Sequence, residues 1–270
     1  MYHKLARGHA TQYLSSLNDY SIMRTWAEGG RCRQMVEIFK SSGLSKKPGR
    51  VIERVAPLMK PAFVRPAVSC WSKGQKAILA EAVTVAKENA VFALPNADVP
   101  LYEERSVFLS NLLLAQDGRS VSLSAITIAN IGHHALTRLL ERDLATPETL
   151  HKHVKNMLAQ ARNIALLTDS CNLTPDENHA FLIPYARGAL PAVTMEVLPD
   201  QADNTSRQRV VSIRTFLDET MVTPEQRRRM EGYHVTVDAL ESRHDTTFMC
   251  EWLKANARRR PAAAPDDLAE

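Results

Sequence analysis

At 270 residues the chain exceeds one average domain and is long enough to bury a sizeable core. Its apolar fraction of 44% and charged fraction of 24% are those of a globular protein, and no run approaches the roughly 18 apolar residues of a spanning helix. The formal net charge of +4 conceals an asymmetry. Residues 1–80 carry 14 Lys and Arg against Asp19, Glu28, Glu37 and Glu53, hence +10, which leaves −6 for the remainder.

Clustered positive charge suits a phosphate backbone, because each neutralised phosphate releases counterions. It also suits an acidic partner protein, or a plain solvated surface. Nucleic acid, RNA ahead of DNA, is the leading expectation, with an acidic protein partner second and no membrane. The N-terminus, Met1 to Arg7, has no apolar run of signal-peptide length, so a cytoplasmic protein is expected. Cys32, Cys70, Cys171 and Cys250 stand singly, which argues against disulfides and against a zinc site. His151 and His153 point apart on a helix and read as part of a solvated face. No metal and no cofactor are expected.

Residues 1–42 carry Tyr13, Leu14 and Leu17, then Met35, Val36, Ile38 and Phe39, at helical spacing interrupted by Gly29-Gly30. Gly43 reads as a C-cap. Residues 44–69 form a basic connector, with Pro48, Pro57, Pro61 and Pro66 among Lys46, Lys47, Arg50, Arg54, Lys60 and Arg65. The prolines forbid a long helix there but allow a short one at 49–59. Those six basic residues are the candidate nucleic-acid contacts. Ser72 to Asn89 reads as a helix, Val91 to Leu94 as a short strand, and 107–131 as a hairpin turning at Asp117-Gly118, unless Ser120 to Ile131 leads into a helix.

Gly132 opens the densest local pattern, His133-His134-Ala135-Leu136-Thr137-Arg138-Leu139-Leu140-Glu141-Arg142. At about 100° per residue His134, Arg138 and Arg142 fall within roughly 80° of one another, opposite Leu136, Leu139 and Leu140. One face is then core, and the other joins an imidazole to two guanidiniums. Histidine moves a proton near neutral pH, and arginine holds phosphate oxygens in its planar fork. The same pattern also describes an ordinary amphipathic helix whose arginines pair with Glu141.

Thr146-Pro147-Glu148 opens a second helix bearing Val154, Met157, Leu158, Ala161, Ile164 and Ala165. Thr174 to Glu177 is a turn. Strands follow at Ala180 to Tyr185, Leu190 to Leu198 and Val210 to Leu217. In the last, Val211, Ile213, Thr215 and Leu217 share one face, Ser212 and Arg214 the other. Thr223-Pro224-Glu225-Gln226 is a capping box. Arg258 to Glu270 reads as a disordered tail. The expected class is α+β, with a helical basic N-terminal part followed by helices packed on a small antiparallel sheet. Its parts are a basic region at 1–69, an α+β domain at 70–257 and the tail at 258–270.

His-Ala-x-x-Arg-x-x-x-Arg on a helix, followed by antiparallel strands ending in Arg-Thr, resembles the small toxin-like domains of the barnase–EndoU–colicin–RelE group of metal-independent ribonucleases. The resemblance spans roughly Ile131 to Asp218. It implies a catalytic His134, phosphate-holding Arg138 and Arg142, and a polar residue of the last strand at Thr215 or Arg214, with Glu141 or His133 as a second titrating group. Phosphate-cradling glycine loops, the serine-hydrolase elbow and His-Glu-x-x-His are all missing, which disfavours ATPases, Rossmann dehydrogenases and serine hydrolases of the usual kinds. Trp26, Trp71 and Trp252 are isolated and form no base-stacking platform. The rival to an enzyme is a non-catalytic module that binds nucleic acid or a protein, in a plasmid, phage or effector setting.

Overall fold

The computed structural model describes residues 2–41, 54–55, 57–58, 65–72, 75–93, 103–117, 120–170, 179–199, 208–230 and 258–259. The chain is α+β and divides into two compact units, residues 17–86 with 108–127, and residues 1–16, 87–107 and 128–270.

In the first of these, helices α1 (Ser21–Glu28) and α2 (Gly30–Ser41) are separated by the expected glycine break. Arg54, Val55, Pro57 and Leu58 are helical, as the short segment at 49–59 predicts. The helices bury Met23, Trp26, Cys32 and Met35, and the Trp26 indole N–H donates to the Leu58 carbonyl at 3.2 Å. Strand β1 (Arg65–Ser72) places Pro66 at the end of the strand order, where a missing N–H costs least.

The neighbour of β1 corrects an expectation: 75–87 is not a helix but strand β2 (Gln75–Lys87). Its alanines satisfy either period. Ile78, Val83, Thr84 and Val85 are β-branched, however, and Ala82 and Thr84 are buried while Glu81 and Val83 are half-buried. Pairing with flanking strands decides the matter over local helical spacing. Strands β3 (Arg105–Asp117) and β4 (Ser120–Ile131) realise the expected hairpin, with the Ser110 and Thr127 hydroxyls 3.1 Å apart in its buried interior.

The other unit begins with helix α3 (Tyr2–Ser16), which buries Ala6, Ala10 and Leu14 at i, i+4, i+8. A 3-10 turn (Glu88–Ala90) and strand β5 (Phe92–Ala93) lie in the same unit. After β4 come helices α4 (His133–Glu141) and α5 (Leu150–Ser170), and all six apolar residues expected inside α5 are buried. Strands β6 (His179–Tyr185), β7 (Gly188–Pro199) and β8 (Gln208–Ile213) pair antiparallel in sequence. The sheet is nevertheless mixed rather than purely antiparallel, because β8 runs parallel to the end of β4, Ala129 opposite Val211 and Ile131 opposite Ile213.

Past Ile213 the expected alternation fails. Phe216 is fully buried, and β9 (Leu217–Asp218) turns back to pair with the start of β7, so Thr215 lies between strands, half-exposed, rather than on a shared core face. Gly188 makes this possible, since a Cβ there would overlap the Leu217 carbonyl. Helix α6 (Pro224–Met230) has the expected capping box: the Thr223 amide donates to Gln226 Oε1 at 2.8 Å and the Gln226 amide to Thr223 Oγ1 at 3.2 Å. Arg258–Arg259, expected in the tail, form a short strand (β10) against His179–Ala180 of β6. Gly43, the turn at 174–177 and Cys70, Cys171 and Cys250 fall outside the described residues or side chains.

Candidate functional site

Helix α4 starts where β4 ends. Gly132 is extended (φ −68°, ψ 150°), and its amide donates to the Ile213 carbonyl at 3.1 Å, tying the first turn to the last residue of β8. The apolar stripe then buries Ala135, Leu136, Leu139 and Leu140. His134 is exposed, and Arg138, Glu141 and Arg142 are half-buried.

The stripe splits into two halves. Arg138 Nε donates to His134 Nε2 at 3.3 Å, and Arg138 Nη1 donates to Glu141 Oε2 at 2.7 Å. A donor aimed at Nε2 needs a lone pair there, so the ring is neutral in this arrangement. Partial burial of the ring, then the Arg138 guanidinium, lower the His134 pKa below its usual value; Glu141 and Glu104 act against them, and Arg142 adds to them. His3, on α3, meets the other Glu141 oxygen through Nδ1. Burial raises the Glu141 pKa, but hydrogen bonds from His3 and Arg138 outweigh it, and the carboxyl stays ionised below the usual carboxylate range.

Arg142 is otherwise engaged. Its Nη1 donates to the Phe216 carbonyl, its Nε lies 3.3 Å from Asp218 Oδ2, and its guanidinium sits 5.7 Å from the Phe216 ring centroid. One turn from Arg138, it fastens α4 to β9. The structure therefore brings His134 and Arg138 together, turns Arg142 inward and leaves Thr215 in the segment between β8 and β9.

Four residues missed in the sequence, His3, Arg7, Thr11 and Glu104, complete the neighbourhood. His133 is buried, with Nδ1 2.9 Å from Glu104 Oε2 and Nε2 3.1 Å from Thr11 Oγ1 of α3. Arg7 Nη2 holds the other Glu104 oxygen at 2.5 Å. His3, Thr11 and Glu104 lie far from α4 in sequence, and no local spacing signals such pairings. Elsewhere in this unit Glu88 is fully buried; Asn130 Nδ2 donates to it at 2.5 Å and Arg214 Nη1 lies 3.4 Å from both its oxygens. Arg214 thus faces this buried carboxylate.

Of the candidate nucleic-acid contacts, Arg54 is exposed on its helical turn and Arg65 opens β1, while Lys46, Lys47, Arg50 and Lys60 lie outside the described residues. His151 is exposed, with Nδ1 3.1 Å from the Tyr13 hydroxyl; His153 instead meets the Tyr185 hydroxyl at 2.8 Å and is half-buried. Among the described residues no group of three His, Cys, Asp or Glu is placed to hold a metal ion, and no helix is long and apolar enough to cross a membrane. Comparison with protein-family models, with curated proteins and with solved structures found no match to this chain.

Proposed function

We propose that the chain is a nucleic-acid-directed protein that cleaves RNA through the His134–Arg138 stripe of α4. The observation that carries this reading is the Arg138 guanidinium set between the neutral His134 imidazole and an ionised Glu141 on an open helix face. RNA brings its own nucleophile, the 2′-hydroxyl. His134 takes that proton on Nε2 once the Arg138 Nε–H has left that lone pair, and the 2′-oxygen attacks phosphorus. The Arg138 N–H groups not engaged by His134 or Glu141 hold the developing phosphorane charge. The 5′-oxygen then leaves as an alcohol, protonated by the exposed His3, and a 2′,3′-cyclic phosphate remains. Glu141 orients Arg138 and His3 rather than giving up a proton, because it stays ionised. The +10 balance of the first 80 residues supplies sequence-independent attraction for the substrate.

The test is incubation of the purified chain with end-labelled RNA and DNA of one sequence, in the presence of EDTA. Cleavage of RNA alone, leaving 2′,3′-cyclic ends and lost in His134→Ala, is the expected result. Intact nucleic acid that shifts equally on a gel with both proteins overturns the enzymatic reading in favour of a binding module.

A further inference from the structure

Behind the exposed stripe, α4 takes part in a second arrangement with a different chemical order. Glu104, His133 and Thr11 form a line of carboxylate, imidazole and hydroxyl, with contacts of 2.9 Å at Nδ1 and 3.1 Å at Nε2. The ring between them is 7% exposed, whereas Thr11 at the end of the line is open to solvent. The carboxylate is fixed from its far side by Arg7, one helical turn before Thr11. With the Nδ1 proton directed at Glu104, the Nε2 lone pair faces the hydroxyl. Thr11 Oγ1 donates to the Arg7 carbonyl at 2.9 Å, so turning its proton to Nε2 exchanges one acceptor for another. A buried imidazole that is oriented by a carboxylate and aimed at an exposed hydroxyl is the order that activates an oxygen nucleophile.

We propose that Thr11, His133 and Glu104 form a nucleophilic relay that accepts the acyl group of a small carboxylic ester. Thr11 Oγ1 attacks the carbonyl carbon while its proton passes to His133 Nε2. The tetrahedral adduct collapses, the carbon–oxygen bond to the alcohol breaks, and that alcohol leaves with the proton from Nε2. Water then gives a proton to Nε2 and attacks the acyl-threonine. The carboxylic acid is released as Thr11 recovers its proton. Glu104 is a positioning residue throughout, holding the ring in the tautomer that presents Nε2. This chemistry goes beyond the RNA reading and shares with it no reacting residue and no substrate, the Glu104 charge alone acting on both histidines.

The experiment treats the full chain with p-nitrophenyl acetate, follows p-nitrophenolate release, and locates the acetyl group by peptide mass spectrometry. RNA cleavage is read in parallel on the same samples, so the two reactions fail or succeed separately. The expected result is a burst of about one p-nitrophenolate per chain with the acetyl group on Thr11, retained in Thr11→Ser, lost in Thr11→Val, and slowed about 10²-fold or more in Glu104→Gln. Acetyl found only on lysine or histidine, or a Thr11→Val burst equal to that of the parent chain, overturns the proposal. Locating the acetyl group on the unsubstituted chain decides the matter even if Thr11→Val does not fold.

Discussion

Arg138 and Arg142 stand one turn apart on the same helix, and the sequence offers no reason to treat them differently. Arg138 meets an imidazole and a carboxylate on an open face, while Arg142 meets a carbonyl, a carboxylate and a buried ring. The first arrangement lies beside the exposed His134; the second fastens α4 to the β9 segment. What separates a reactive arginine from a structural one here is the element that returns to it, more than 70 residues later in the chain.

This contrast is broken most severely at the reactive half. His134→Ala should lower RNA cleavage by about 10²–10⁴-fold, the usual worth of a positioned proton acceptor. Arg138→Ala should lower it by about 10²-fold. His134→Ala should change the thermal unfolding midpoint by no more than the small shift of a surface substitution, and Arg138→Ala by more, because the Glu141 carboxylate loses one of its partners. At the structural half the effects reverse. Arg142→Ala should cost about 1.5–3 kcal/mol of stability in denaturant titration, since a charge-assisted bond is lost and the Phe216 carbonyl is left without its donor. Gly188→Ala attacks the same fastening from the strand side. Its methyl group overlaps the Leu217 carbonyl at the β7–β9 pair, and should cost about 1–3 kcal/mol.

The smallest effects sharpen the contrast through pH. His134 has a folded pKa below its unfolded one, so the unfolded chain binds the proton more readily. Its contribution to stability is complete above the ordinary histidine range and is lost as pH falls through it. Acid unfolding should therefore begin at lower pH in His134→Ala. Arg138→Ala removes a cation that lowers the His134 pKa, so the acidic limb of the residual RNA cleavage should move to higher pH.

Helix α4 was legible in the sequence because its period, its glycine start and its leucine stripe all agree, and the α+β class followed from the helices and strands around it. The α5 face and the capping box at Thr223 were legible for the same reason: each is decided within a few residues. Strand β2 was not, because its alanines satisfy both periods and the decision belongs to the flanking strands. The end of β8 misled for a related reason. A buried Phe216 and a permissive Gly188 break an alternation that the sequence carries through to Leu217. His3, Thr11 and Glu104 gave no signal because they reach α4 from segments distant in sequence, the first two on α3 and Glu104 in the bend before β3. The basic connector rests on composition alone, which speaks of attraction and not of geometry.

The most direct test of the division within α4 compares single-turnover RNA cleavage by the parent chain, Arg138→Lys and Arg142→Lys in EDTA, with unfolding curves on the same preparations. The account predicts that Arg138→Lys, which loses the planar fork, cleaves at least about tenfold more slowly at unchanged stability, whereas Arg142→Lys is destabilised and, while folded, cleaves at the parent rate. Equal cleavage by Arg138→Lys and the parent chain, or loss of cleavage in a fully folded Arg142→Lys, would contradict it.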